Sequence, residues 1–182
     1  MNQIIISIYT ITMLTNFQLM DLAKAMKYPL ERVCFKTQLD DVNLNYNCGY
    51  IINIQDEINK ETGEENDGTH WVALYVEKNK NGKIHPFYFD SYGAPPPEEV
   101  KAFVGCYVPY STKDVQSIMN DCCGFYASAF LFFVSASKFR THHIYQDAET
   151  FLELFKDLNK SHDFKQNEWM LQQFFSTKKP TV

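Results

Sequence analysis

The run CGFYASAFLFFV, residues 123–134, carries no charged side chain and is broken only by Ser128 and the hydroxyl of Tyr126. A membrane-spanning helix needs roughly 20 apolar residues, and this run falls short of that. It therefore reads as a helix from Cys123 to about Lys138 enclosed in a protein core, and whatever else the chain folds into must surround it. Two cysteines and a glycine, Cys122, Cys123 and Gly124, stand at its start. A thiol there meets the positive end of the helix, where free N–H groups favour the thiolate.

The rest of the 182-residue chain supplies the surroundings. A share of 45% hydrophobic and 21% charged residues suits one domain, residues 1–182, with a substantial core. Aromatics at 15% imply a bulky core, a sticky groove, or both. Residues 1–12 read as an apolar arm, too short to span a bilayer and lacking a basic start, or as an extension ahead of Met13. Thr15 or Asn16 caps a helix that Tyr28 and Pro29 end near Lys27. Strands are expected at 49–54, 70–76 and 86–90, the last two joined through Asn81 and Gly82 as a hairpin. Pro97, followed by Glu98 and Glu99, opens a helix. A short strand is expected at 105–111, and amphipathic helices at 146–160 and 164–175. This order gives an α+β fold: a small central mixed sheet flanked by helices, with a nucleophile at the N-terminus of a buried central helix.

Charge and cysteine usage exclude some functions. A net charge of −5 argues against a general nucleic-acid coat, and Lys178 with Lys179 is too small a basic patch to reverse that. Five cysteines, an odd number with no secretory signal, indicate a reducing compartment and free thiols. No Cys/His spacing marks a zinc site, and His142 with His143 reads as a surface pair.

Three residue types then form a constellation. His70 opens one strand, Asp90 closes its hairpin partner, and Cys123 begins the apolar helix. An imidazole takes a proton from a thiol and returns it to a leaving amine, while a carboxylate fixes the imidazole's tautomer. Gly124 lets a substrate carbonyl approach and makes Cys123, rather than Cys122, the nucleophile; Cys122 is left to packing. Gln116, seven residues before Cys123, offers a side-chain N–H to an oxyanion, beside the backbone N–H of Cys123. Asp121 is placed to cap the helix. Each has a plainer reading taken singly: His70 a structural histidine, Asp90 a turn former, Gln116 a surface residue, Cys123 a core thiol. His85 is a second, weaker candidate for the base.

The strings GTHWVALYV (68–76) and FYFDSYG (87–93), followed by Gln116, six residues and CGFYASAF, resemble the adenovirus-type cysteine proteases. Similar sequences occur in virophages and in Maverick/Polinton elements, and the wider group includes the SUMO-specific, ubiquitin-like proteases. The order His, Asp, Gln, Cys-Gly is that of the group; papain-like enzymes place Cys first. The resemblance implies His70 as base, Asp90 as its orienter, Gln116 as oxyanion donor, Cys123 as nucleophile and Trp71 as an aromatic beside the site. It implies a thiol endopeptidase, acting as a monomer, that cuts capsid or other structural precursors beside small residues, in the virion and in the host cytoplasm during assembly. It implies no metal or small-molecule cofactor. Relatives also use an activating peptide, which a cysteine near Cys106 holds by a disulfide; a plain buried thiol on a short strand is the other reading of Cys106. A DNA activator fits poorly with the acidic balance. A deubiquitinase or deSUMOylase, and an inactive docking module of the same fold, are the alternatives.

Overall fold

The computed structural model describes residues 13–136 and 143–176. The expected arm at residues 1–12, His142 and the Lys178–Lys179 pair lie outside the described residues. Helix α1, Asn16–Met26, begins at Thr15, whose hydroxyl accepts from the Gln18 N–H while the Gln18 side chain reaches back to the Thr15 N–H. This reciprocal capping satisfies two donors that would otherwise lack partners. Strands β1, Leu30–Phe35, and β2, Cys48–Asn53, follow, separated by a short 3-10 turn over Lys36–Asp41. Then come β3, Trp71–Lys78, and β4, Ile84–Phe89. The sheet order is β1-β2-β3-β4. β1 runs parallel to β2, and the other two pairs are antiparallel, so the sheet is mixed. Helices α2, Glu98–Val104, α3, Cys123–Ser135, α4, Ile144–Glu153, and α5, Phe164–Phe175, complete an α+β fold.

The sheet is covered on both faces, which is why β2 and β3 lack an alternating polar pattern. Ile51, Ala73, Tyr75, Phe87 and Phe89 face α3; Tyr50, Ile52, Val72, Leu74 and Tyr88 face the other way, onto the side closed by α2. Helix α3 is buried around nearly its whole circumference, from Cys123 to Val134 with only Phe132 half-exposed. Phe130 stacks on Phe89 with centroids 4.8 Å apart and meets Phe151 of α4 edge-on at 5.5 Å. The hydroxyl of Ser128, a polar interruption of the run, accepts from Tyr28 Oη at 3.1 Å.

Four expectations change. A strand at residues 105–111 is absent: this stretch makes a single bridge, Tyr88 to Tyr110, with the Tyr88 N–H donating to the Pro109 carbonyl at 2.9 Å. Strand β1 is an addition to the expected elements, because Glu31 and Arg32 interrupt its apolar pattern at the exposed edge of the sheet. Helix α4 occupies Ile144–Glu153 rather than 146–160, and starts where His143 Nδ1 accepts from the Tyr145 N–H at 3.4 Å. His143 is thus a half-buried capping residue packed against His85, ring centroids 4.2 Å apart, while its partner in the expected pair, His142, lies outside the described residues.

Truncating the fully buried Phe130 should measure the weight of this packing. Phe130→Ala is expected to cost about 3–5 kcal/mol in urea unfolding. Phe17→Ala, at a position 74% exposed on α1, is expected to stay within about 0.5 kcal/mol.

Candidate active site

The β3–β4 register pairs Ala73 with Phe89 and carries both chain ends to one edge of the sheet. His70 lies one residue before β3 and Asp90 one residue after β4, so their side chains meet there: His70 Nε2 stands 2.9 Å from Asp90 Oδ1. Asp90 Oδ1 also accepts the Tyr92 N–H at 2.8 Å, which holds the carboxylate while the chain turns. That turn needs Gly93. Its φ is +73°, and a β-carbon there would stand 2.7 Å from the Thr112 backbone.

Helix α3 brings Cys123 to the same place. The Cys123 side chain lies near enough to the His70 imidazole to act on its proton affinity. Nε2 is engaged by Asp90, which leaves Nδ1 as the nitrogen able to exchange a proton with sulfur. Burial pulls the imidazole's affinity for a proton down. The hydrogen bonds and charges of Asp90 and Cys123 outweigh that pull and raise its pKa from 6.5 to about 9. His70 and Cys123 are 7% and 3% exposed, so the pair is shielded but touches solvent.

The neighbouring thiol differs. Cys122 is 1% exposed and packs in the core; burial, then the charges of Glu168, Cys123 and Asp121, push it up to about 12. It stays protonated at neutral pH. Burial likewise lifts Cys34 to about 11 and raises Cys48. Of the two adjacent cysteines, only Cys123 has an imidazole partner. Asp121 does not cap α3 as expected: the cap position is Cys122, without a side-chain hydrogen bond, and Asp121 is exposed.

Gln116 is no surface residue. It is 1% exposed and fixed on both ends of its amide. Its Oε1 accepts from Ser91 Oγ at 2.7 Å; its Nε2 donates to the Asn120 carbonyl at 2.8 Å and to Tyr92 Oη at 3.1 Å. Both amide hydrogens thus have acceptors. The loop is anchored behind it. The Ser91 carbonyl accepts the N–H groups of Val115 and Gln116, and the Val115 carbonyl accepts from Tyr126 Oη and Asn167 Nδ2.

Tyr92 joins the site although the sequence does not single it out. Its ring stacks on His70, centroids 4.7 Å apart and 27° from parallel, and its hydroxyl meets the Gln116 amide. Burial, then negative charge at Cys123, Asp90, Asp121 and Asp114, raises it to about 12, so it keeps its proton at neutral pH. The signal is present only as spacing, two residues after Asp90 in the turn. Trp71 is buried beside the site, its Nε1 donating to the Leu14 carbonyl at 2.8 Å. Leu14 in turn packs against Gly124, where a β-carbon would approach it to 3.3 Å.

His85 sits away from this group, bonded to Asn79 Nδ2 at 3.3 Å and packed on His143 and Tyr145. Cys106 is exposed, outside any strand, its sulfur 3.7 Å from the Tyr107 carbonyl; neither burial nor a strand accounts for it. Among the described residues, no three His, Cys, Asp or Glu side chains stand together as a metal site.

No family model matches the sequence, and no curated protein does. A solved structure of HopZ1a in complex with IP6 is similar over 76% of this chain, at 12% identity and a TM-score of 0.41. The chain spans 46% of that protein's length. A likeness this slight carries no weight for function.

A folded-state pKa above the unfolded one means that folding binds the proton more tightly. The contribution of the His70 charge to stability is then whole below about pH 6.5 and is lost as pH rises through about 9. In an NMR titration the His70 ring should remain imidazolium past pH 8. Asp90→Asn should bring its midpoint below 6.5, because burial then acts with one opponent fewer. A wild-type midpoint near 6.5 would contradict the arrangement described.

Proposed function

We propose that the chain is a cysteine peptidase in which Cys123 is the nucleophile, His70 the acid and base, and Asp90 the orienting carboxylate. The observation that carries this reading is the placement of one buried imidazole between a carboxylate and a thiol that begins a helix. These are the parts that covalent acyl transfer from a peptide requires.

In the proposed cycle His70 already holds the Cys123 proton on Nδ1, as its raised proton affinity favours, and the sulfur attacks the scissile carbonyl carbon as thiolate. The oxygen takes the negative charge and is met by the Cys123 N–H and Gln116 Nε2, with the Tyr92 hydroxyl, still protonated, alongside. His70 gives its proton to the amine, the C–N bond breaks and a thioester remains. Water then attacks the thioester, its proton going to His70, and the acid product leaves as the Cys123 thiolate and His70 imidazolium re-form. Asp90 keeps Nε2 protonated throughout and supports the imidazolium. Ser91, Asn120 and Asn167 act through Gln116 by fixing its loop.

The slight exposure of Cys123 supports a preference for small residues at the cut, because only a slim chain reaches the sulfur. The resemblance drawn from the sequence motifs extends the reading to precursors of viral structural proteins as the substrates. Nothing beyond that resemblance supports the extension.

Cleavage of Gly-Gly fluorogenic peptides tests the peptidase, and a ubiquitin-like C-terminal amide run beside them tests an isopeptidase. Cys123→Ala is expected to remove more than about 10^4-fold of kcat and Asp90→Asn about 10^3–10^4-fold, whereas Cys122→Ala should retain activity. Activity that survives Cys123→Ala but not Cys122→Ala would sink the assignment. In a Cys106→Ser background, iodoacetamide should label Cys123 before Cys34, Cys48 and Cys122 at pH 7. Uniform slow labelling would favour a docking protein.

A further inference from the structure

The Gln116 amide is engaged on every side before any substrate binds. Ser91 Oγ holds its Oε1 at 2.7 Å, and its two amide hydrogens go to the Asn120 carbonyl at 2.8 Å and to Tyr92 Oη at 3.1 Å. The last of these bonds passes the donor role on. A phenol oxygen accepts through its lone pairs and donates one O–H. Gln116 fills the accepting side, and among the described residues no group takes the Tyr92 O–H.

That hydroxyl is fixed in place. The Tyr92 N–H donates to Asp90 Oδ1 at 2.8 Å, the Gly93 N–H donates to the Asp90 carbonyl at 3.0 Å, and the Tyr92 ring lies on His70, centroids 4.7 Å apart. One residue is thus held at its backbone by the carboxylate, at its ring by the imidazole and at its tip by Gln116. Burial, then the charge of Cys123 ahead of those of Asp90, Asp121 and Asp114, keeps the proton on the phenol. Cys123 is the first residue of α3, where a backbone N–H has no partner within the helix.

We propose that Tyr92 is a further catalytic residue: its O–H donates to the oxygen that gains negative charge, and Gln116 and Tyr92 act as one unit in which the amide orients and polarises the hydroxyl. The proposal rests on the peptidase reading and deepens it. An N–H bonded to Oη draws density from that oxygen and strengthens the O–H as a donor. The hydroxyl is set before charge develops, so it costs no rearrangement at that moment. The plainer reading makes Tyr92 a wedge that only orients His70. The two readings differ in what the hydroxyl does, because a phenylalanine ring keeps the stack.

Tyr92→Phe separates them. On the Gly-Gly fluorogenic peptide, kcat should fall about 10²-fold with KM within about twofold. Gln116→Ala should fall by a similar factor. The double variant should fall by about 10²–10³-fold, short of the roughly 10⁴-fold product that independent donors would give. The His70 midpoint of Tyr92→Phe, followed by NMR, should stay within about 0.3 pH units of the wild type. A kcat within about threefold of the wild type, losses that multiply in the double variant, or a His70 shift large enough to account for the loss overturns the proposal. A second substrate keeps it separable from the peptidase reading. Acetyl-Gly-Gly p-nitrophenyl ester acylates Cys123 without an amide being cut: the S–C bond forms, the ester C–O bond breaks, and p-nitrophenolate leaves as a measurable burst. Tyr92→Phe should slow that burst about tenfold. A slowed burst with no amide turnover by the wild type refutes the peptidase and keeps the donor. Amide turnover that needs Cys123 but ignores Tyr92→Phe does the reverse, and neither burst nor turnover in the wild type overturns both.

Discussion

The enclosure of α3 is the constraint on which the structure depends. A helix apolar all round has no face for water, so every side must meet another element. The sheet takes one side through Ile51, Ala73, Tyr75, Phe87 and Phe89, while α1, α4 and α5 take the others. This enclosure also decides where the helix begins. Leu14 and Leu19 close on Gly124, the loop carrying Gln116 is tied to Tyr126 of α3, and the first turn is left at the sheet edge where β3 starts and β4 stops. The packing that buries the aromatic run thereby delivers Cys123 to His70.

Much of this was legible in the sequence, and the failures have physical reasons. The hairpin could be found because Asn81 and Gly82 punctuate two strands rich in β-formers, and its register then required His70 and Asp90 to lie together. The helix start was legible because Thr15 and Gln18 form a local capping pair. β1 was hidden because an edge strand gains its place by pairing with β2, a long-range contact that leaves no pattern in the charged string around Glu31 and Arg32. The segment near residue 107 misled for the opposite reason: its residues favour strands, yet only one position finds a partner along β4. Tyr92 and the burial of Gln116 depend on how the turn after Asp90 folds back upon residues 115–116. No local rule reports that.

Two adjacent thiols with opposite characters show how little of a site's chemistry resides in residue type. Cys122 is the cap residue of α3 and Cys123 its first helical residue. One points into the core near Glu168 and is held protonated; the other meets an imidazole backed by a carboxylate. Gly124 contributes in the same geometric way, since Leu14 and Leu19 already occupy the space where its side chain would stand.

Shielding and access pull against each other at such a centre. Burial works against the charge on His70, and the pair persists because Asp90 and Cys123 more than offset that cost. Opening the site widely would relieve the cost but weaken the interactions that keep the imidazole charged, since water screens both. A site that remains nearly closed must therefore draw its selectivity from elsewhere than the reacting atoms. The sulfur can distinguish little beyond width, and discrimination passes outward along the chain to groups that water still reaches.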